Sequence, residues 1–276
     1  MTGFSSADNA AGVCAVFTGS GSGNYQLIEN CYSACTVVGT GRDQSCAAGI
    51  LANPVSSFGS IVNCYNIGTV TSSSSSGYAG GIMGDASRMI VTFYNCYNAS
   101  AVSASTDHAG AIVGNLYSKR LKNCYWVTGT APTGCANPTD VTGITELAEN
   151  DLKGGSSKLG VAFAQDNSAL NQGYPVLFWR VGLSEVDIAD ASSVDIEDVT
   201  YTGSALEPAA TLTCRVDGAD YTLEEGADYQ ATYSDNTNSG TCTVTFTGCG
   251  RFTGQVEATF EINPKDISSC TIGTID

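Results

Sequence analysis

Polar and apolar positions alternate over short stretches along most of this chain, and clusters of Gly, Ser, Asn and Asp interrupt the alternation. That period predicts β-strands separated by turns. Only "ITELAENDL" (144–152) carries a helix-favouring pattern. The strands also recur. Asn-Cys-Tyr occurs at Asn30, Asn63, Asn95 and Asn123, at intervals of 33, 32 and 28 residues. Ahead of each copy, in constant phase, stands a small-residue apolar box: "AAGVCA" (10–15), "AAGILA" (47–52), "AGGIMG" (79–84) and "AGAIVG" (109–114). A period of this length marks stacked units, each a box strand, a polar loop, a strand running into Asn-Cys-Tyr and a short third strand. The loops vary, as in "TSSSSSGY" (71–78), and the strands do not, which is how a stack tolerates insertions.

Side chains alternate across a strand, so position relative to the cysteine assigns a face. Three residues before it stand Ile28, Ile61, Phe93 and Leu121, an apolar inward column. Two before it stand Glu29, Val62, Tyr94 and Lys122, a mixed outward column. Continued parity sends Asn30, Asn63, Asn95 and Asn123 inward, followed by Tyr32, Tyr65, Tyr97 and Tyr125. An inward Asn is costly unless bonded, and stacked amides can bond rung to rung. Cys31, Cys64, Cys96 and Cys124 then face outward, unless the chain turns a corner at Asn and reverses parity; the usual burial of Cys favours the corner. Stacked free thiols and inter-rung disulfides both fit a rung spacing of about 4.8 Å.

The pattern Gly-Gly-Ile/Leu-x-Gly followed by Ile-x-Asn-Cys/Ser-Tyr-x-x-Gly-x-Val, best seen in "GGIMGDASRMIVTFYNCYNASAV" (80–102) and "IVNCYNIGTV" (61–70), resembles the GLUG repeat of bacterial surface proteins. The resemblance covers residues 10 to 130; Cys35 replaces the usual glycine in the first copy, and the last copy lacks the final valine. It implies an all-β chain opening with a parallel β-helix, or β-solenoid, of about four repeats over 1–130. Residues 131–183, ending in the apolar strand "NQGYPVLFW" (171–179), are similar to the segment that closes such repeats, and their expected task is to cover the open end. Trp179 and Tyr174 belong to that cap, with a sugar-stacking platform as the lesser reading.

From about Ser184 the texture changes to short strands split by Gly, Asn and Asp turns, some seven in 80 residues, which predicts a β-sandwich over 184–265. The pattern "YTGSALEP...TLEEGADYQATYSDNTNSGTCTVTFTGCGRFTGQVEATFEI" resembles an Ig-like tandem repeat that spaces modules on bacterial surfaces. Residues 266–276 resemble the opening of a next copy, so the chain reads as a piece of a longer protein whose signal and anchor lie outside it. Cys214 and Cys242 are a possible bridge between strands of this domain. Charge marks the same boundary: residues 181 to 276 hold 17 acids and 3 bases, which is −14 of the total −16. An acidic surface repels phosphate, so nucleic acid is an unsuitable partner. Solvation explains the acids; an adventitious cation site is the lesser reading. No apolar run is long enough to span a membrane.

The chemistry of a site is sparse. A single histidine, His108, and no Cys-x-x-Cys argue against zinc. Asp43, Asp85 and Asp107 lie near the boxes without a common phase, as turn residues do; Asp107 beside His108 is the most enzyme-like pair, but with no serine motif and no second histidine it reads as a solvated loop pair. "GSGSG" (19–23) has no helix after it to bind phosphate. The expectation is a non-catalytic module with no cofactor, an extracellular, cell-surface bacterial fragment that displays loops on an Ig-like stalk to a host glycoprotein, a glycan or another surface ligand. The alternatives are the accessory arm of a large secreted peptidase or glycoside hydrolase, and a catalytic β-helix acting on polysaccharide.

Overall fold

The computed structural model describes residues 9–17, 26–41, 45–54, 59–87, 90–191, 193–266 and 268. The start of the chain, the "GSGSG" segment, Asp43, Cys270 and residues 269–276 lie outside them. Contacts divide the chain into Met1–Ser184 and Glu185–Asp276. Both units are all-β, and the α-helix Glu149–Lys153 spans only five residues.

In the first unit each repeat passes in turn through four sheets, and the next repeat lies parallel against it. The box strands Ala47–Ala48, Ala79–Gly80 and Ala109–Leu116 stack in one sheet. The strands Gln26–Glu29, Gly59–Val62, Val91–Tyr94 and Arg120–Lys122 stack in a second. The Tyr strands Tyr32–Ser33, Tyr65–Asn66, Tyr97–Asn98 and Cys124–Val127 form a third. Val37–Gly39, Val70–Ser72 and Val102–Ala104 form the fourth. Equivalent residues pair directly: Ile28 with Ile61, Ile61 with Phe93, Phe93 with Leu121. In-register stacking of one residue type per column is what the constant strand lengths permit.

The junction of the second and third sheets is the asparagine. Asn30, Asn63, Asn95 and Asn123 have φ of 52°, 51°, 52° and 53°. Of the residues with a Cβ, Asn and Asp enter this left-handed region most readily. The corner reverses parity. Cys64, Cys96 and Cys124 therefore join Ile61, Phe93, Ile50, Ile82 and Ile112 in the core, with Cys31 packed at its edge. The tyrosines turn to the outer face, which corrects the inward parity expected for Tyr32, Tyr65, Tyr97 and Tyr125. The amides run a ladder through the stack: Asn63 Nδ2 donates to Asn30 Oδ1 at 3.3 Å, Asn95 to Asn63 at 3.1 Å and Asn123 to Asn95 at 3.1 Å.

The segment expected to close an open end divides in two. Thr133–Asn137 pairs with Ala109–Leu116, and Ile144–Leu147 pairs with Cys124–Val127, so another rung is added beyond residue 130. The helix expected over 144–152 is thus confined to Glu149–Lys153, because residues 144 to 147 complete a rung. Residues 149 to 181 then run along the tyrosine face. The strand expected over 171–179 shrinks to Val176–Leu177, antiparallel to Phe163–Ala164, and a 3-10 turn, Phe178–Val181, follows.

The second unit has a four-stranded sheet in the order Val199–Thr200, Gln255–Asn263, Gly240–Gly248 and Tyr229–Ser234, and a three-stranded antiparallel sheet of Ser193–Ile196, Ala210–Val216 and Ala219–Thr222. Ile196 of the smaller sheet packs onto Cys242, Phe260 and Ile262 of the larger. Cys214 and Cys242 are both free thiols, which corrects the expected bridge. The Cys242 thiol instead donates to the Asp235 carbonyl at 3.3 Å. Arg251, 3% exposed, forms a bidentate pair with Asp217 at 2.7 Å on both arms. Burial pushes the Asp228 carboxyl up to about 6, while the Glu224 amide and the Tyr221 hydroxyl oppose the rise.

Two outcomes follow from this packing. Asn63→Ala removes two ladder bonds and adds left-handed strain, and should lower stability by about 3 kcal/mol in urea unfolding. Asn63→Gly loses the bonds without the strain and should cost about 1 kcal/mol less; equal or greater loss for Gly would refute the role of the corner. For Asp228 the folded pKa lies above the unfolded one. The folded chain therefore holds a proton that the unfolded chain has lost between about pH 6 and the ordinary carboxylate range. Stability of this unit should rise by about 3 kcal/mol as pH falls through that window, and Asp228→Asn should abolish the rise.

Candidate functional site

The outward tyrosines form a continuous aromatic row. Tyr32 stacks on Tyr65 at 5.1 Å and Tyr65 on Tyr97 at 4.9 Å, with interplanar angles of 12° and 1°. Such a row left in water would expose a large apolar face. Residues 149 to 181 cover it as a strap: Leu152, Leu159, Phe163, Tyr174 and Phe178 pack on Tyr65 and Tyr97. Three of the phenols are also anchored. Arg180 Nη1 donates to Tyr65 Oη at 2.6 Å, and its guanidinium lies 4.6 Å from the Tyr32 ring centre. Tyr97 donates to the Pro175 carbonyl at 2.5 Å and accepts from Asn171 Nδ2 at 2.7 Å. Tyr125 donates to the Lys158 carbonyl at 3.5 Å. Asp166 shapes the strap by accepting backbone amides of Asn171, Gly173, Leu170 and Ser168 at 2.7 to 3.3 Å. Burial raises the Asp166 carboxyl, and these amides outweigh it, leaving it below the usual carboxylate range.

The cysteine column is spent on the core. The thiols of Cys31, Cys64 and Cys96 donate to the carbonyls of Glu29, Val62 and Tyr94 at 3.1 to 3.2 Å. All four thiols are free. A second amide ladder escaped the sequence reading. Asn66 Nδ2 donates to Asn98 Oδ1 at 2.8 Å and to its own turn at the Gly68 carbonyl at 2.7 Å. These amides press against the boxes: a Cβ on Gly81 would sit 2.5 Å from Asn98 Cγ. In the next rung Trp126 replaces the Asn, and Ala111 replaces the box glycine. The signal was present as "NCYN" in two of the four copies.

A different column follows a crease in the box sheet, buried at Cys46 and half-buried at Tyr78 and His108. Cys46, Tyr78 and His108 hold equivalent places in successive rungs, their carbonyls accepting from Ala10, Ala47 and Ala79. Tyr78 stacks on His108 at 4.4 Å and 21°. The chain bends so sharply after the box that a Cβ on Gly114 would sit 2.7 Å from Tyr78 Cβ. That bend brings up the register column Asp85, Asn115 and Asn137. Asn137 Nδ2 donates to Asn115 Oδ1 at 2.8 Å, and the Asn137 side chain also bonds the Tyr78 phenol. Burial raises Tyr78, and the charge of Asp85 adds to the rise. Burial likewise pushes Cys46 up to about 11, again with Asp85 contributing. His108 Nε2 lies 3.8 Å from Asp107 Oδ1, whose side chain is 99% exposed, while Nδ1 is buried without a partner. Tyr117, two residues past Asn115, is 71% exposed.

The crease thus joins Asp85, which sequence reasoning treated as a turn residue, with His108, which it paired only with Asp107, and adds Tyr78, Asn115 and Asn137, which it missed. Of the cap aromatics, Tyr174 is buried and bonds Glu149 at 3.0 Å, so it offers no platform; Trp179 is half-exposed beside Tyr32. Among the described residues, no group of three or more His, Cys, Asp or Glu side chains is placed to hold a metal ion. No helix among them is long and apolar enough to cross a membrane. No family model, no curated protein and no solved structure gives a significant match to this chain.

The strap geometry carries its own test. Tyr97→Phe removes a buried donor facing Pro175 and should cost about 1 to 3 kcal/mol. Limited proteolysis should then cut faster between residues 165 and 175, and unchanged cleavage would mean that the phenol does not hold the strap.

Proposed function

We propose that residues 9–147 are a GLUG-type β-solenoid with a lateral strap, that residues 185–266 are an Ig-like sandwich, and that together they act as a non-catalytic display module of a secreted or cell-surface bacterial protein. Its partner in this reading is a glycan of a host or neighbouring-cell glycoprotein, and the contact surface is the crease at Tyr78 and His108. One observation carries the reading. The crease sets a stacked aromatic pair beside a column of carboxamides and a carboxylate. Aromatic rings suit the C–H face of a sugar, and Asn and Asp suit its hydroxyls. Asp85 and Asp107 disfavour an anionic ligand, so a neutral or amino sugar fits best.

The remaining polar residues of the repeat support the same reading because they are occupied: amides by amides, thiols by carbonyls, phenols by the strap. The acidic second unit suits a solvated spacer, since net charge keeps an extended stalk soluble. The accessory-arm reading shares this surface and differs only in what the parent protein carries elsewhere.

A glycan array probed with the whole chain tests the proposal. Binding to neutral or amino-sugar glycans is expected, with at least a tenfold loss in Tyr78→Ala and in His108→Ala, each assayed at a temperature where the variant stays folded. Binding that survives both substitutions would move the contact away from the crease. Release of reducing or unsaturated ends from a polysaccharide panel would replace the display reading with a catalytic one.

A further inference from the structure

The four core thiols are alike in sequence and unlike in setting. Cys64, Cys96 and Cys124 are buried, whereas Cys31, on the first rung, is half-buried. Besides their carbonyl bonds, the thiols lie against one another in two pairs, Cys64 with Cys31 and Cys96 with Cys124. The two members of the first pair lie on adjacent rungs in register, since their neighbours Tyr32 and Tyr65 are direct partners, and Tyr65 N donates to the Cys31 carbonyl at 3.1 Å. Adjacent rungs are about 4.8 Å apart, within the reach of a disulfide.

We propose that Cys31 and Cys64 are a redox-active dithiol, which a low-molecular-weight disulfide such as glutathione disulfide converts to a covalent link between the first and second rungs, while Cys96 and Cys124 stay reduced. Cys31 is the attacking thiol. The hydrogen bond from Cys64 pulls it down to about 7, against its partial burial and the charge of Glu29, so thiolate is plentiful at neutral pH. Its sulfur attacks one sulfur of the reagent, the reagent's S–S bond breaks, and one glutathione thiolate leaves and takes up a proton. Cys64, in register on the next rung, is the resolving thiol. Its proton passes to the second leaving thiolate as its sulfur attacks Cys31 and expels that glutathione. Two protein thiols become one disulfide, and one reagent disulfide becomes two thiols. The second pair shares the geometry but lacks the access, because both of its members are buried.

The bond would form where the stack is held least. The first link of the asparagine ladder, Asn63 to Asn30, is the longest of the three at 3.3 Å. The described strands of the first rung pair on one side only. A link between Cys31 and Cys64 would pin that rung to the rest and restrict the unfolded chain.

The test uses the whole chain with the exposed Cys35→Ser as background, treated with glutathione disulfide at pH 8 and mapped without reduction. The expected result is one cross-linked peptide containing Cys31 and Cys64, alkylation of Cys96 and Cys124 only after denaturation, and a thermal midpoint raised by several degrees. Cys64→Ser should stop at a stable glutathione adduct on Cys31, and Cys31→Ser should leave Cys64 unmodified. Should either variant fail to fold, the pH dependence of Cys31 alkylation in the parent chain decides: a midpoint near 7 supports the proposal, and one near 9 overturns it. A cross-link through Cys96 or Cys124, or an unreactive Cys31, also overturns it.

Discussion

The first unit depends on one backbone feature, a left-handed residue at the same place in every rung. A β-strand cannot send two successive side chains to the same side of a wall; a corner can. With φ near 52°, each Asn of the row turns the chain so that the Ile, Phe or Leu two residues before it and the Cys after it both face the core. Asn serves because its side chain lowers the cost of that conformation and bonds to its copies above and below. Glycine would allow the turn but supply no ladder. The ladder in turn fixes register: slipping one rung by one residue would break every amide bond and turn a charged or polar column inward.

The corner creates the problem that the strap answers. Once Cys is inward, the next residue must be outward, and that residue is Tyr in all four copies. A stacked aromatic row is therefore a consequence of the corner, and it must be covered. Residues 149 to 181 run back along the row, and Arg180 reaches the phenol and ring of the two earliest tyrosines. The repeats and the strap are thus one cooperative unit: the row gives the strap its apolar seat, and the strap supplies the donors and acceptors that buried phenols require.

The sequence made the rungs legible because their signal is redundant. Four copies agree on the box, the apolar column and Asn-Cys-Tyr. Counting parity raised the corner as an alternative, since Cys on the outside was the discordant reading. What the count could not supply was the destination of the tyrosines. Their burial depends on a segment that shares no periodicity with the repeats, and a row covered by a neighbour looks the same in sequence as a row facing a core. The same limit applies to residues 144 to 147. Their local preference is helical, yet an open rung edge at Cys124–Val127 recruits them as a strand. The bridge expected between Cys214 and Cys242 rested on spacing alone, whereas disulfide formation depends on the approach and orientation of the two Cβ atoms, which spacing does not supply.

The crease was illegible for a further reason. Asp85, Asn115 and Asn137 are separated by 30 and 22 residues and carry no common motif. They meet Tyr78 and His108 only because the box strand folds back on itself over glycine. In a stack built from repeats, each repeated position is pulled toward a structural task, because it must fit its own copies. Positions where the copies differ escape that demand. The column Cys46, Tyr78 and His108 has a different residue in each rung, and the flanking column changes from Asp85 to Asn115 and Asn137. Divergence inside an otherwise repetitive frame therefore marks the positions on which the scaffold makes no demand of its own.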